Sequence, residues 1–104
     1  MKGFGNIMKE AQKLQQQMEA LQAEAAKKRV QATAGGGMVT VEANGKQEIL
    51  SIKIEREVIN PEDAQMLEDL VLAACNEALR QSRELVQAEM SKLTAGLKIP
   101  GLGT

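Results

Sequence analysis

Five cations stand where side chains can grip phosphate oxygens: Lys9 and Lys13, four residues apart; Arg80 and Arg83, three apart; and Lys92. Spacings of three and four place such pairs on one face of a helix. Lysine meets a phosphate as a point charge, arginine as a planar fork. Little other chemistry is available. The 104 residues include no histidine, tryptophan or tyrosine, one phenylalanine and one cysteine. Without histidine, the side chain best matched to proton transfer near neutral pH is missing. No zinc site of ordinary spacing can be assembled within the chain either. No acidic residue lies in a Gly-rich or apolar setting that would perturb its ionisation. An enzyme is therefore not expected, nor a metal or cofactor. Cys75, in the run LVLAAC, reads as a buried and inert thiol that cannot form an intrachain disulfide. Gly35-Gly36-Gly37 invites a phosphate-loop reading, but no Lys-Ser/Thr pair follows and no helix opens after it, so a hairpin turn is expected.

The cations are unevenly distributed. Net charge is only −1, yet residues 1–31 hold six basic and three acidic side chains, residues 32–78 three and nine, and residues 79–104 four and two. The surplus falls at the start of the first helix and the end of the second. If those helices pack antiparallel, both positive regions lie at one end of the molecule, away from an acidic body. Lys9 and Lys13 fall on the outer face of the first helix, and Arg80 and Arg83 share a polar face with Asn76 and Gln87. A merely solvated basic face is the plain alternative. The near absence of aromatics disfavours recognition of single strands or RNA by base stacking. A duplex held through its phosphates, with limited sequence preference, is the better fit to nucleic acid.

These side chains need long helices to carry them. Ile7, Ala11, Leu14, Met18, Leu21 and Ala25 recur at spacings of four and three, the 3.5-residue period of a coiled-coil seam. Asn6 is the expected cap, and neither Gly nor Pro occurs from Ile7 to Arg29, so a helix is predicted over 6–29. The period then changes to two. Val30, Ala32 and Ala34 alternate with polar residues, as do Val39, Val41 and Ala43, and then Leu50, Ile52 and Ile54. Asn44-Gly45 is the preferred pair of a two-residue type I′ hairpin. An antiparallel three-stranded meander over 30–55 follows. Asn60-Pro61-Glu62-Asp63 opens a second helix with a capping Asn, a first-turn Pro and acids facing the dipole. That helix is predicted over 61–93. It carries two apolar stripes, one through Ala64, Leu67, Val71, Ala74, Ala78 and Leu85, the other through Leu72, Cys75, Leu79, Val86 and Leu93.

The expected fold class is α+β, an α-β-β-β-α subunit forming one domain over 1–104. Helices of about 35 and 50 Å outrun strands of about 17–27 Å, so both must project beyond the sheet. A projecting apolar seam demands a partner. Two copies related by a twofold axis supply it, predicting a homodimer with helical arms. The tail over 94–104 has no helical continuation; a frayed end is expected, with docking of Leu97, Ile99 and Leu102 as the alternative. No apolar run reaches the roughly 18 residues of a membrane span, and MKGFGNIMKEAQK lacks the features of a secretory signal. A cytoplasmic protein without a membrane partner or a small-molecule substrate is expected.

Four segments, GNIMKEAQKLQQQM, GGGMVTVEANGKQEILSIKI, MLEDLVLAACNEAL and MSKLTAGLKIPG, together and in this order resemble the YbaB/EbfC family of bacterial nucleoid-associated proteins. The resemblance spans nearly the whole chain. It implies a tight dimer with tweezer-like helices, binding to duplex DNA with little sequence preference, and a part in nucleoid organisation and transcription regulation. Lys9 lies within the matching GNIMK and Arg80 follows the matching NEAL. Lys13, Arg83 and Lys92 are added on electrostatic grounds alone. The competing expectation is a protein-interaction adaptor or chaperone-like clamp, with Met8, Met18 and Met90 offering an adaptable surface.

Overall fold

Ala25, Gly45, Asn44 and Ser82 meet at one end of the sheet, and this junction sets the direction of both helices. The computed structural model describes residues 2–96. Helix α1 spans Lys2–Lys27, strands β1, β2 and β3 span Arg29–Ala34, Val39–Asn44 and Ile49–Ile54, and helix α2 spans Ala64–Gly96. The order α-β-β-β-α makes this an α+β fold. The strands form an antiparallel sheet in the order β1-β2-β3. Among the described residues no helix is long and apolar enough to cross a membrane.

The strand pattern works as its period of two implies. Val39, Val41 and Ala43 of β2 are fully buried, and Ala32 of β1, opposite Val41, joins them. Ala74 and Ala78 of α2 pack onto this row, with Leu67, Leu70, Val71 and Cys75 around them. Small residues dominate the contact, so the helix lies close to the sheet. Leu67, Val71, Ala74 and Ala78 of the first stripe on α2 face β1 and β2, and Cys75 of the second stripe joins them at the edge of the core. Leu72, on the second, is 61% exposed. Cys75 is half-buried against the core and carries a free thiol.

Helix α2 runs antiparallel to β1, passing the Gly35 turn at Leu70 and the Asn44 end at Ser82. Ser82 is fully buried within a helix of otherwise good formers. Its hydroxyl donates to the Asn44 carbonyl at 2.6 Å and accepts from the Gln47 N–H at 3.1 Å. Replacing Ser82 with alanine strands both groups, and urea titration is expected to show a loss of about 1–3 kcal/mol, the usual penalty for an unsatisfied buried polar group. An unchanged midpoint would remove this role.

Several sequence expectations are corrected here. Asn44-Gly45 does not form a two-residue type I′ turn. Gly45 lacks a positive φ; the left-handed residue is Gln47, at φ 62°. Asn44 Oδ1 instead accepts from the N–H groups of Lys46 and Glu48, holding a four-residue loop. Gly45 is needed for space: a Cβ there would lie 2.6 Å from the Ala25 carbonyl oxygen. That oxygen accepts from the Gly45 N–H at 2.9 Å, which ends α1. The helix therefore stops at Lys27 and not at 29, and Arg29 already pairs with Asn44 in the sheet. At its other end α1 begins at Lys2, because Gly3 and Gly5 only weaken a helix that strong formers propagate. Chain pairing slips between Glu42 and Ala43, leaving Leu50 as an extra residue in β3. Pro61–Asp63 forms a 3-10 turn before α2, with Asn60 accepting from the Glu62 N–H as a cap does. Asp63 accepts from the Met66 N–H at the start of the α-helix proper. Helix α2 then continues to Gly96, three residues beyond the expected stop. The docking alternative for Leu97, Ile99 and Leu102 lies outside the described residues.

Gly35, Gly36 and Gly37 all have positive φ, which only glycine adopts without strain, and they make the β1–β2 turn. The hairpin reading of this triplet stands.

Candidate nucleic-acid interface

From the Ala25–Ser82 junction both helices leave the sheet in the same direction. Gln17, Met18 and Leu21 of α1 are half-buried where α2 runs beside them, whereas residues 3–16 are exposed throughout. The long dimension of the chain, 72 Å, exceeds the roughly 50 Å of α2 because α1 extends past it. This projecting stretch is the arm.

Lys9 and Lys13 sit exposed on the arm, and no ion-pair partner accompanies either among the described residues. Sixteen residues separate Lys9 from Ala25, which places it about 24 Å beyond the junction. Lys92 on α2 lies about 15 Å beyond the junction; its side chain is 76% exposed and its Nζ is 3.9 Å from Glu89 Oε1. That contact is too long to hold it.

Arg80 and Arg83 are placed differently from what charge along the chain suggested. They flank Ser82 at the base of the arm, over 20 Å from Lys9 along the helix direction. Arg83 is exposed. Arg80 is clamped between two carboxylates on its own helix: Nε donates to Glu77 Oε2 at 2.9 Å, and its Nη groups reach Glu77 and Glu84. These bonds hold the Glu77 carboxyl down at about 2, the Arg80 hydrogen bond being the main cause, and push the Arg80 guanidinium further above its ordinary range. Two acids more than offset Arg80, and with Arg83 beside it this face is neutral overall. Sequence order alone could not reveal the clamp as decisive, although Glu77 and Glu84 at three and four residues from Arg80 were the signal for it.

The clamp has a pH signature. Glu77 is depressed in the folded chain relative to its ordinary 4.5. Between those values the unfolded chain binds more protons, so the contribution is complete above about pH 4.5 and is lost as pH falls towards 2. The urea midpoint of the native chain is expected to drop more between pH 6 and pH 3 than that of Glu77→Gln. Equal drops would exclude the clamp as a source of acid sensitivity.

Lys28 and Arg29, basic residues that the charge count placed in the positive end, are also engaged. Lys28 pairs with Glu89 of α2, lowering that carboxyl, and Arg29 Nη1 meets Glu42 Oε1 at 2.9 Å. The first pair ties the α1–β1 connection to α2, and the second links β1 to β2 within the sheet. At the opposite end of the body, a cavity of about 360 Å³ is lined by Gly36, Gly37, Met38, Val58 and Met66 with Glu55 and Glu57. Its acidic lining repels phosphate. Of the five candidates, then, Lys9, Lys13 and Lys92 gather on the arm, Arg83 stays free at its base, and Arg80 is neutralised.

Comparison with known proteins adds to this geometry. Residues 1–97 match the profile described as the YbaB/EbfC DNA-binding family. The chain is 58% identical over 99 residues to a nucleoid-associated protein of Clostridium novyi, covering 95% of this chain and 87% of that one. A nucleoid-associated protein of Thermodesulfovibrio yellowstonii is 56% identical over 101 residues, covering 97% and 89%. Among solved structures, an uncharacterized protein of Helicobacter pylori superposes with a TM-score of 0.76 at 18% identity, covering 85% of this chain and 92% of that one. That likeness is one of fold.

Proposed function

The chain belongs to the YbaB/EbfC DNA-binding family, and from that premise we propose that it binds duplex DNA as a homodimer, through phosphates, as a nucleoid-associated protein. The observation that carries the phosphate reading is the pair Lys9 and Lys13. They are unpartnered on the outer face of a projecting helix, while the body beneath is acidic. Such a surface attracts a polyanion to the arm and repels it elsewhere. The arm sets no arginine fork against a guanine edge, and its two lysines, four apart on one face, suit phosphate oxygens as point charges. Binding is therefore broad in sequence, suited to organising the nucleoid and, through occupancy of promoters, to influencing transcription.

The homodimer rests on apolar surface that one chain leaves bare. Ile52 lies opposite buried Val41 on the same side of the sheet, yet is 46% exposed because α2 covers β1 and β2 and scarcely reaches β3. Ile49 at 40% and Leu50 at 45% extend the apolar surface along β3, and Leu72 on α2 is 61% exposed. Side chains of this size, exposed on strand and helix together, mark an association surface more often than free solvent contact. A second copy packed there doubles the number of arms and of lysine sets.

Titration of a random-sequence duplex at two salt concentrations tests the reading. Log affinity is expected to fall linearly with log salt, with a slope of about −0.9 for each phosphate contacted. Absence of binding at low salt, or binding indifferent to salt, would overturn it.

A further inference from the structure

The cavity at the far end of the body, between the β1–β2 turn and the start of α2, has no part in gripping phosphate. Its floor is fixed. Val58 is buried there in a 3-10 turn over Arg56–Val58, and the Met38 carbonyl accepts from the Glu55 N–H at 2.9 Å, tying the turn to the segment after β3. Its walls can adapt, because Met38 and Met66 are exposed and a thioether chain reshapes around an incoming side chain. A Cβ at Gly36 or Gly37 would touch nothing, so the space above the turn is open. Glu55 and Glu57 line the cavity, and residues 55–69, which run past it, hold six acids against the single base Arg56.

An occupant must carry a large apolar side chain beside cations, on a surface slender enough to enter. The arm end of this same chain has that make-up. Phe4, 65% exposed, and Met8, also exposed, are four residues apart on one helix face, with Lys9 next to Met8 and Lys13 one turn further. Within one chain the two surfaces cannot meet. Helix α2 passes the Gly35 turn at Leu70 and the Ala25 junction at Ser82, and the arm projects onward from there. Arm end and cavity therefore lie at opposite ends of a molecule 72 Å long. We infer that the arm end of one copy docks in the acidic cavity of the next, Phe4 or Met8 entering between Met38 and Met66 while Lys9 and Lys13 meet Glu55 and Glu57. A contact between two different patches at opposite ends does not close on itself; it propagates as a filament. It also occupies the lysines assigned to phosphate, so on the DNA-binding reading a duplex and a neighbouring copy compete for one arm. The contact itself needs neither the duplex nor the apolar surface along β3, and its tests contain no DNA.

Sedimentation velocity at low salt is the first test: mean particle mass is expected to rise at least about threefold between about 10 µM and about 1 mM, with no plateau at one stoichiometry. Added salt screens the pairs and should reverse the rise. Glu55→Lys with Glu57→Lys should weaken the association on the order of 10²-fold, as should Lys9→Glu with Lys13→Glu, because like charges then face each other. All four side chains are exposed, so the fold is not at stake. The four changes together restore opposite charges and should restore the growth. No growth in the native chain, growth that either reversal leaves unchanged, or no recovery in the fourfold variant rejects the contact. The second test mixes two chains under a mild oxidant, one carrying Phe4→Cys and the other Met66→Cys, each with Cys75→Ser. A two-chain disulfide joining the unlike variants, read by mass, is expected. Products between like variants only, or none, would reject the docking as well.

Discussion

Ile52→Lys is expected to turn the proposed dimer into a folded monomer, raising its dissociation constant by at least about 10³-fold. The side chain sits beside the fully buried Val41 but is itself 46% exposed in the single chain. Lysine at this position is therefore tolerable in an isolated subunit, where its stem follows the sheet and its head reaches water. In a twofold dimer it would be buried on both sides of the axis. An unpaired buried charge costs several kcal/mol, and symmetry imposes the cost twice. Sedimentation equilibrium at micromolar concentration reads the change, and circular dichroism confirms that helix content survives. A variant that remains dimeric would move the interface away from β3. A native chain that sedimented as a monomer would remove the dimer altogether.

Lys9→Glu with Lys13→Glu is expected to weaken binding to a random duplex on the order of 10³-fold at low salt. Four phosphate contacts per dimer would be exchanged for four repulsions, at about 1 kcal/mol or more each. The salt slope should fall by about four in the same experiment. Both side chains are exposed and bond to nothing in the body, so the fold has no reason to respond. Arg80→Ala is the matched control. Its guanidinium is already bound to Glu77 and Glu84, and its loss should alter affinity by no more than a few-fold. If Arg80→Ala were the more damaging change, the interface would lie on the base of the arm and the clamp would have to open on binding.

These two experiments divide the molecule by function. One concerns apolar surface along β3, the other polar surface on the arm, and they share no residue. A monomeric Ile52→Lys chain also presents half as many lysines to a duplex. Its residual affinity would therefore measure how much the second set of arms adds.

Period and composition determined the elements themselves. A 3.5-residue seam in residues 7–25, three runs of period two, and an Asn-Pro-Glu-Asp start are local patterns that bias the backbone directly, so α-β-β-β-α was legible without coordinates. So was the reason both helices outrun the sheet, which is arithmetic on rise per residue. Where long-range contact competes with local preference, the sequence pattern went astray. Gly45 looked like a turn glycine, but the approach of Ala25 is what excludes a side chain there. Ser82 belongs to neither apolar stripe, and only the folding of the Asn44 loop onto α2 gives its hydroxyl partners. Arg80 counted as a cation in a linear tally, whereas its two carboxylate neighbours cancel it.

What the residues alone determined, then, is that a basic, seam-bearing helix must leave an acidic body. What only the tertiary structure decided is which cations travel with it. Charge along a chain is additive, but availability to a phosphate depends on distance and on partners. Packing at the Ala25–Ser82 junction carries Lys9, Lys13 and Lys92 outward and leaves Arg80, already paired, behind at the base.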